Sequence, residues 1–398
     1  MDFHIIWPRN TADFDYINTD SLNIIEINSC TELHIEFYRY SKSFNLAAND
    51  LVEHMINTAE IRKLDLWFFA MVYLYRQSLE LMLKSIAFQN IKEKSARKNF
   101  ISDTRHNLKA CFEEISKESN IVNHLSAIEA NWINEYLFDI TLIDEQSDLF
   151  RYPFNNKMES YFEEQTHINI IALYENMNVA YSILKKLYKK YPAETINISF
   201  EPKLLIYGGE YYGQSIIGWK YESLAFYPFI EGYIESANYI HDFIVKNIKN
   251  NELFFPMCYL YRNGIELSLK RILIEDCNIN TNKAAKIIRK KKHSVLGLWN
   301  SIKDEIVSNA NATEDDKTLQ NVEKYINQLH ILDQTSDKFR YPVDKNLNMH
   351  FQTIKKFDIS NVSLCFKELF SFLDAADSML SQIREFEADM EREMRDYY

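Results

Sequence analysis

Glycine, proline and cysteine are scarce in this sequence, and each shortage excludes a class of protein. The 398 residues include only 7 Gly and 7 Pro, too few for a turn-rich β-fold. The 5 Cys show no CxxC spacing, which is typical of reduced thiols and excludes a disulfide framework. No apolar run approaches the roughly 18 residues that span a bilayer. We therefore expect a mainly helical protein without a membrane-spanning segment.

Motifs that would fix a reaction are also missing. The sequence contains no Gly-rich phosphate loop, no HExxH, no clustered His/Cys spacing and no GxSxG elbow, so it predicts no metal site, no cofactor and no serine nucleophile. The first residues lack the basic and apolar regions of a secretory signal. Together with the scattered cysteines, this predicts a cytoplasmic location.

Apolar and aromatic residues are abundant under an acidic net charge. The chain contains 25 Tyr and 26 Phe, and 46% of its residues are hydrophobic, enough for two domains with sizeable cores. The net charge of −12 argues against binding nucleic acid with the whole surface, because phosphates repel an acidic surface. A local basic patch remains compatible with RNA or with an acidic partner.

The same order of residues occurs twice along the chain, which indicates an internal duplication. Three pairs recur at nearly constant spacing: Arg76 with Arg262 after 186 residues, His106 with His293 after 187, and Arg151 with Arg340 after 189. We place the boundary between residues 192 and 193, so that half one spans 1–192 and half two spans 193–398.

Each half is predicted to open with a small β element and to continue as a helical bundle. Alternating polarity at 22–27 and 33–37 predicts short strands within 1–44, and 195–225 repeats this pattern with a Gly208–Gly209 turn. Helical periodicity predicts bundles at 45–191 and 228–385, followed by a charged, solvated C-terminal extension. The predicted helices of each half are a first helix (44–60; 228–249), a central helix (64–90; 252–276), a third helix after a basic loop (from 106; from 293), a fourth helix (121–143; 314–332) and a last helix with an apolar seam (170–187; 359–376).

A charged row lies on each central helix, and it has two interpretations. Arg76, Glu80 and Lys84 are spaced i, i+4, i+8 and share a helix face, as do Arg262, Glu266 and Lys270 in half two. Because burial of an unpaired charge is costly, the rows either form an ion-pair lock with the loop after the fourth helix, through Asp144, Asp148 and Arg151, or bind an anion or nucleotide through Arg76, Lys84, Arg262 and Lys270. The sequence favours the lock.

Two short motifs after the fourth helices are the next candidates. Phe150-Arg151-Tyr152-Pro153 and Phe339-Arg340-Tyr341-Pro342 each place a guanidinium beside an aromatic ring and a rigid turn. The arginines are suited to phosphate, and Tyr152 and Tyr341 are suited to stacking on a base. Alternatively, the aromatic rings plug the bundle while the arginines cap helix carbonyls, and the sequence favours this structural role.

His106 and His293 occupy matching positions after basic stretches. The first stretch contains Lys92, Lys94, Arg97, Lys98 and Arg105, and the denser second one contains Lys283, Lys286, Arg289, Lys290, Lys291 and Lys292. We interpret both as loops that are either solvated or able to contact RNA or an acidic partner.

The repeated motifs resemble those of the HEPN superfamily of helical bundles. The resemblance rests on Tyr75-Arg76-x-x-x-Glu80-Leu81-x-Leu83-Lys84, His106-x-Leu108 and Arg151-Tyr152-Pro153, and on Tyr261-Arg262-x-x-x-Glu266-Leu267-x-Leu269-Lys270, His293-x-Val295 and Arg340-Tyr341-Pro342. It covers roughly 45–190 and 228–385, without the β-like openings. It implies two tandem bundles that pair as an internal pseudo-dimer, with a homodimer also open, and a role in RNA cleavage, nucleotide binding, or toxin–antitoxin and antiviral systems.

One departure from the family decides between activities. The ribonuclease members carry an Arg and a His separated by four to six residues, and none of the 10 His here has an Arg at that distance upstream. We therefore expect a non-catalytic binding protein for RNA, a nucleotide or a protein partner in a prokaryotic defence or toxin–antitoxin system. The alternative is a divergent metal-independent endoribonuclease using His106, His293, Arg151 and Arg340. A third interpretation is a structural protein that binds its partner through the C-terminal helix.

Overall fold

The protein is mainly helical, as its composition predicts. The computed structural model describes residues 6–10, 13–19, 21–29, 32–117, 123–155, 157–190, 196–219, 225–247, 251–313 and 315–396. These ranges contain 13 α-helices and four short strands. The proposed boundary at residues 192 and 193 lies outside them, as do Cys30 and the parts of predicted elements at 121–122, 220–224, 248–249 and 314.

The elements follow the chain in two similar series. Half one contains β1 (Ile24–Ile27), α1 (Leu33–Thr58), α2 (Ile61–Leu66), α3 (Phe68–Asn90), α4 (Lys94–Thr104), α5 (Leu108–Ser116), α6 (Ala127–Ile143), β2 (Thr166–Asn169) and α7 (Ile170–Lys189). Half two contains β3 (Gln214–Ile217), α8 (Tyr227–Lys246), α9 (Phe254–Arg271), a π-helical turn (Ile272–Asp276), α10 (Thr281–Lys291), α11 (Val295–Asn309), α12 (Thr318–Leu332), β4 (Lys355–Asp358) and α13 (Ile359–Asp396).

The two central helices, α3 and α9, form the middle of the molecule. Every side chain of α3 from Phe68 to Phe88 is buried, and so is every side chain of α9 from Pro256 to Lys270. Such a helix has no solvated face and must be surrounded by other elements. α1 packs along α3 and α8 along α9, while α3 also contacts α8 and α1 also contacts α9. The halves therefore share one hydrophobic core.

The short strands connect the halves reciprocally. β1 pairs antiparallel with β4, with Ile24 opposite Asp358, and β2 pairs antiparallel with β3, with Thr166 opposite Ile217. Each opening strand thus pairs with the strand that precedes the last helix of the other half. The β-like openings are therefore not self-contained units, since their hydrogen-bond partners lie more than a hundred residues away in sequence.

Two of the predicted strands are absent from their predicted places. Residues 33–37 form the first turns of α1, because the buried positions Leu33, Phe37, Tyr40 and Phe44 continue at helical spacing. The segment 196–200 forms no strand, and the strand of the second opening is β3 at 214–217. Alternation over five residues did not distinguish a strand from one side of a helix.

The two basic stretches are helices, whereas the sequence predicted loops. They correspond to α4 and α10, which end at Arg105 (φ 47°) and Lys292 (φ 52°). Asn280 caps α10 by accepting from the backbone N–H of Lys283, and Ala284 and Ala285 form its buried side. Small alanines give a weak apolar signal among many lysines, which explains the error.

Positive-φ residues other than glycine occur at corresponding positions in the two halves. The matched pairs are Arg105 with Lys292, Ser147 with Ser336, and Met158 with Leu347. These pairs are 187, 189 and 189 residues apart. Loops of the same unusual backbone conformation therefore recur at the spacing of the sequence motifs.

The last helices bury the seams that the sequence identified. The buried positions of α7 are Ile170, Leu173, Met177, Ala180, Leu184 and Leu187, and those of α13 are Ile359, Val362, Phe366, Leu369, Leu373 and Ala376. α7 packs on α3 and α13 packs on α9, so each seam covers the central helix of its own half rather than joining the halves. Beyond Ile383, α13 is exposed through Arg395. Within the described ranges, no helix combines the length and hydropathy needed to cross a membrane.

Candidate functional site

A buried carboxylate, Glu80, is the centre of a polar network in half one. Its side chain is 0% exposed. It accepts hydrogen bonds from Arg76 Nη1 at 2.8 Å and from Lys84 Nζ at 2.6 Å, both from the same face of α3. His106 Nδ1 lies 3.1 Å from Glu80 Oε1. The predicted charged row is therefore an ion-pair network inside the protein.

The fourth partner of Glu80 comes from the other half. The hydroxyl of Tyr341 donates to Glu80 Oε1 at 2.7 Å and lies 3.3 Å from His106 Nδ1. Lys84 Nζ lies 4.9 Å from the centre of the Tyr341 ring, within the range of a cation–π contact. The sequence placed the Phe-Arg-Tyr-Pro loops beside the central helix of their own half and did not predict this crossing.

Half two repeats the network around Glu266. Lys270 Nζ donates to Glu266 Oε1 at 2.6 Å, His293 Nδ1 lies 3.0 Å from it, and Arg262 pairs with the other carboxylate oxygen. Tyr152 of half one donates to Glu266 Oε1 at 3.0 Å. The crossing is therefore reciprocal.

Each loop is also tied to the central helix of its own half. The guanidinium of Arg76 contacts Asp144 Oδ2 through Nε at 3.2 Å, and Arg262 contacts Asp333 Oδ2 at 3.6 Å. The other oxygen of Asp144 accepts from the backbone N–H of Asp148 at 2.9 Å. The predicted lock through Asp144 is therefore present.

Electrostatics keep both central carboxylates ionised. Burial alone would raise the pKa of Glu80, but Lys84, His106 and Arg76 together hold it well below its usual range. Burial acts in the same way on the pKa of Glu266, and Lys270, His293 and Arg262 again outweigh it. Each buried cation of the two rows thus has an ionised partner, which offsets the cost of its desolvation.

The loop arginines meet at the middle of the molecule. Arg151 Nε donates to the hydroxyl of Tyr259 at 3.1 Å, and its Nη2 donates to the hydroxyl of Tyr152 at 2.7 Å. Arg340 donates to Asp337 at 2.9 Å, and its guanidinium lies 5.9 Å from the Tyr259 ring. Between them, Tyr73 and Tyr259 stack at 4.7 Å. This cluster of cations and phenols joins the two networks.

The two histidines are the titratable groups of the networks that reach solvent. The side chains of His106 and His293 are 35% and 34% exposed, and Nδ1 of each faces its glutamate. Burial lowers the pKa of His293 below its ordinary value, although Glu266 opposes the shift. Within the described ranges, neither histidine forms a hydrogen bond through Nε2. A carboxylate on Nδ1 fixes the ring and leaves Nε2 for a ligand.

A cavity of about 510 Å³ opens beside His293, between the first loop and α10. One wall is aromatic and consists of Tyr152, Phe154, Tyr161 and Phe226. The opposite wall is cationic and consists of Lys270, Arg289 and Lys292, with His293 at its end and Asp148 nearby. Its size is within the usual range of ligand pockets.

The cationic wall carries charge that no described residue neutralises. Arg289 donates only to the carbonyl of Ala285, at 3.3 Å. Neither Arg289 nor Lys292 forms an ion pair within the ranges that the structure describes, whereas Lys270 is paired with Glu266. Lys292 is held in a strained conformation, with φ 52° and ψ −110°. The cavity therefore has a local positive charge in an acidic protein.

The corresponding place in half one is chemically different. At the spacing of 187 residues, Ser102 corresponds to Arg289 and Arg105 to Lys292. Phe88 occupies the position of Ile274, which lines the cavity in half two. The first half thus keeps the Glu80–His106 pair but has fewer cations around it.

The structure separates the binding residues that the sequence proposed. Tyr152, Lys270, Arg289 and Lys292 line the cavity, whereas Lys290 and Lys291 do not. Arg76 and Arg262 are 0% exposed, and Lys84 and Tyr341 are almost completely buried in the network of half one. Sequence reasoning missed Phe154, Tyr161 and Phe226, which carry only the signal of aromatic residues close to the Phe-Arg-Tyr-Pro motif or to α8.

The described residues include no group of three or more His, Cys, Asp or Glu side chains arranged to hold a metal ion. The four described cysteines, Cys111, Cys258, Cys277 and Cys365, are buried free thiols. Comparison of the chain with protein-family models, curated proteins and solved structures found no match.

Proposed function

We propose that this chain is a tandem HEPN-like protein that binds a nucleotide, or the end of an RNA strand, without cleaving it. Its place would be the cytoplasm of a prokaryote, in a defence or toxin–antitoxin system. The observation that carries the proposal is the cavity beside His293, with an aromatic wall on one side and unpaired cations on the other.

The chemistry of the two walls supports this ligand class. Arg289 and Lys292 supply donors and positive charge for a phosphate, and arginine is suited to bidentate phosphate contacts. Tyr161 and Phe154 supply rings on which a base can stack, a contact worth about 1–3 kcal/mol. A ligand that combines a planar base with a phosphate uses both walls at once.

The pseudo-dimer interpretation is supported by the reciprocal contacts. Tyr341 reaches Glu80 in half one as Tyr152 reaches Glu266 in half two. The strand pairs β1–β4 and β2–β3 are exchanged in the same way. Two halves derived from one ancestral homodimeric bundle would make each contact twice, and we propose that origin for the chain.

Binding at the cavity can be tested with paired variants on α10. We expect fluorescently labelled short RNA or a labelled nucleotide to bind, and R289A/K292A to weaken binding about tenfold or more, because two phosphate contacts are lost. K286A/K290A is the matched control, since it removes the same charge from exposed positions of α10 outside the cavity. Equal losses in both variants, or no binding by the wild-type protein, would contradict the proposal.

A metal-independent endoribonuclease is the second candidate, and the Glu–His pairs favour it. Nδ1 of His293 faces Glu266 at 3.0 Å, which leaves Nε2 as a group able to move a proton beside the cationic wall. The test is incubation of RNA with the protein in the presence of EDTA. Cleavage that H293A abolishes, while H350A retains it, would favour the enzyme over the binding protein.

A further inference from the structure

A second, acidic groove lies at the opposite chemical extreme from the cavity. It has a volume of about 860 Å³ and lies between α13, the π-helical turn after α9, and α11. Its charged lining consists of the carboxylates Glu275, Asp276, Glu305, Glu385, Glu387 and Glu391 and the cations Arg271 and Arg384. The carboxylates outnumber the cations, so the groove has a negative charge.

Internal ion pairs use the two cations of this groove. Arg271 contacts Glu275 at 3.0 Å and Asp377 at 3.2 Å, and Arg384 contacts Asp276 at 3.5 Å. Glu385 and Glu387 form no ion pair within the described ranges. These two carboxylates therefore face the groove with no local neutralisation.

Asp276 adds a buried acidic group to the groove. Its side chain is 5% exposed, and its Oδ2 has no hydrogen-bond partner among the described residues. Asp377 of α13 lies against it, and Arg271, Glu275 and Arg384 surround the pair. Burial together with Asp377 raises the pKa of Asp276 to about 7. A cation in the groove would relieve this repulsion.

An apolar row runs along the exposed part of α13, beside the acidic row. Phe386, Met390 and Met394 are 67%, 39% and 59% exposed, and their spacing of four residues places them on one side of the helix. Glu387 and Glu391 each follow a member of this row by one position. Exposed methionines and a phenylalanine on a protruding helix are typical of a protein-binding surface.

We propose that the groove and the exposed part of α13 bind an amphipathic helix of a partner protein. The partner helix would carry a row of Lys or Arg that enters the groove and an adjacent apolar row that covers Phe386, Met390 and Met394. This binding mode is a helix laid against an apolar surface, with its register fixed by opposite charges.

Charge decides against the other occupants. The segment 384–396 contains six acidic and three basic residues, so it repels nucleic acid and also repels the same segment of a second copy. Helix α10 of a second copy is basic, but it buries Ala284 and Ala285 against its own core. It therefore has no free apolar row to cover Phe386.

The experiment uses the full chain and a synthetic peptide as the partner. The probe is a labelled amphipathic peptide of about 14 residues, about 21 Å long as a helix, with Lys along one side and Leu beside it. We expect the protein to bind it, and to bind a version with Glu in place of Lys at least about tenfold more weakly. Equal binding of the two peptides, or no binding of the Lys peptide, would overturn the proposal.

Variants of α13 locate the contact. We expect E387K/E391K, and separately M390S/M394S, to weaken peptide binding about tenfold or more. D389K/E393K is the matched control, because it makes the same change of charge on the other side of the same exposed helix. Loss of binding in this control as large as in E387K/E391K would indicate unspecific attraction and overturn the proposal.

The oligomeric state provides an independent readout. We expect the protein to show no self-association that M390S/M394S removes, measured by light scattering after size exclusion. A wild-type dimer that this variant converts to monomer would assign the surface to a second copy and contradict the partner helix. Circular dichroism of each variant checks that the helical fold is retained.

Discussion

Tyr152 and Tyr341 each join one half of the chain to a buried carboxylate in the other half. Burial keeps the pKa of both phenols well above the ordinary value, so each stays protonated and donates to its glutamate. Glu80 and Glu266 therefore depend on a residue that the sequence places far away. The networks couple the histidines, the loops and the interface between the halves.

The first prediction at the residue scale concerns Tyr152. We expect Tyr152→Phe to lower the free energy of unfolding by about 1–3 kcal/mol, because Glu266 and His293 both lose a buried hydrogen-bond partner. Urea denaturation followed by circular dichroism measures the change. Tyr174→Phe is the control, since its hydroxyl bonds the exposed Glu53, and its effect is expected to be below about 0.5 kcal/mol. Equal effects in the two variants would remove the special role of the crossing.

The second prediction concerns the titration of His293. Its pKa in the folded protein lies below the ordinary value, so the unfolded chain binds the proton more readily. Stability contributed by neutral His293 is therefore present above about pH 6.5 and is lost as the pH falls through the folded pKa. We expect the free energy of unfolding to fall less steeply between about pH 7 and pH 5 in His293→Gln than in the wild type. Identical slopes would show that His293 does not titrate differently on folding.

At the scale of elements, helix α10 combines a structural cost with the proposed binding role. It ends at Lys292 in a conformation that residues other than glycine rarely adopt. Lys292 is also one of the two unpaired cations of the cavity wall. Strain is thus retained at the residue that the proposed ligand would contact.

This combination gives a third prediction. We expect Lys292→Gly to raise the free energy of unfolding by about 1 kcal/mol, because glycine adopts positive φ without strain, and to weaken binding of the labelled RNA or nucleotide. Arg105→Gly is the matched control, since α4 ends in the same conformation but outside the cavity. It should raise stability similarly and leave binding unchanged. A Lys292→Gly protein that binds as tightly as the wild type would exclude Lys292 from the site.

The sequence predicted elements best where the signal was local and strong. The buried central helices and the seams of α7 and α13 are present because their apolar periods extend over many residues. Helix α10 was missed because alanine and lysine conceal its short apolar side. The strand at 33–37 was wrong because a five-residue pattern fits two periods. The ion-pair rows were recognised from their i, i+4 spacing, whereas the aromatic wall of the cavity had no comparable pattern.

Contacts between distant residues were beyond any local pattern. Nothing near Tyr152 indicates that its hydroxyl reaches Glu266, 114 residues away, and nothing near β1 indicates that its partner is β4. Such pairings are decided by the global packing of the chain, which overrides local preference. The duplication and the HEPN-like origin stay predictions from the motifs, supported by the matched positive-φ residues.

At the scale of the whole molecule, the exchanged strands and crossed tyrosines make the halves interdependent. Half one alone would leave β1 and β2 without partners and Glu80 without Tyr341. It would also expose the sides of α1 and α3 that contact α9 and α8. A fragment with unpaired strand edges and a large exposed apolar surface is expected to lose cooperative folding or to aggregate.

The final prediction follows from this interdependence. We expect fragments 1–192 and 193–398 each to lack a cooperative urea transition, and an equimolar mixture refolded together to recover a helical, cooperatively unfolding complex. Circular dichroism and size exclusion measure both outcomes, with each fragment refolded beside an unrelated helical protein as the control. A fragment that unfolds cooperatively by itself would indicate an independent domain, because its core and strands would then be complete without the other half.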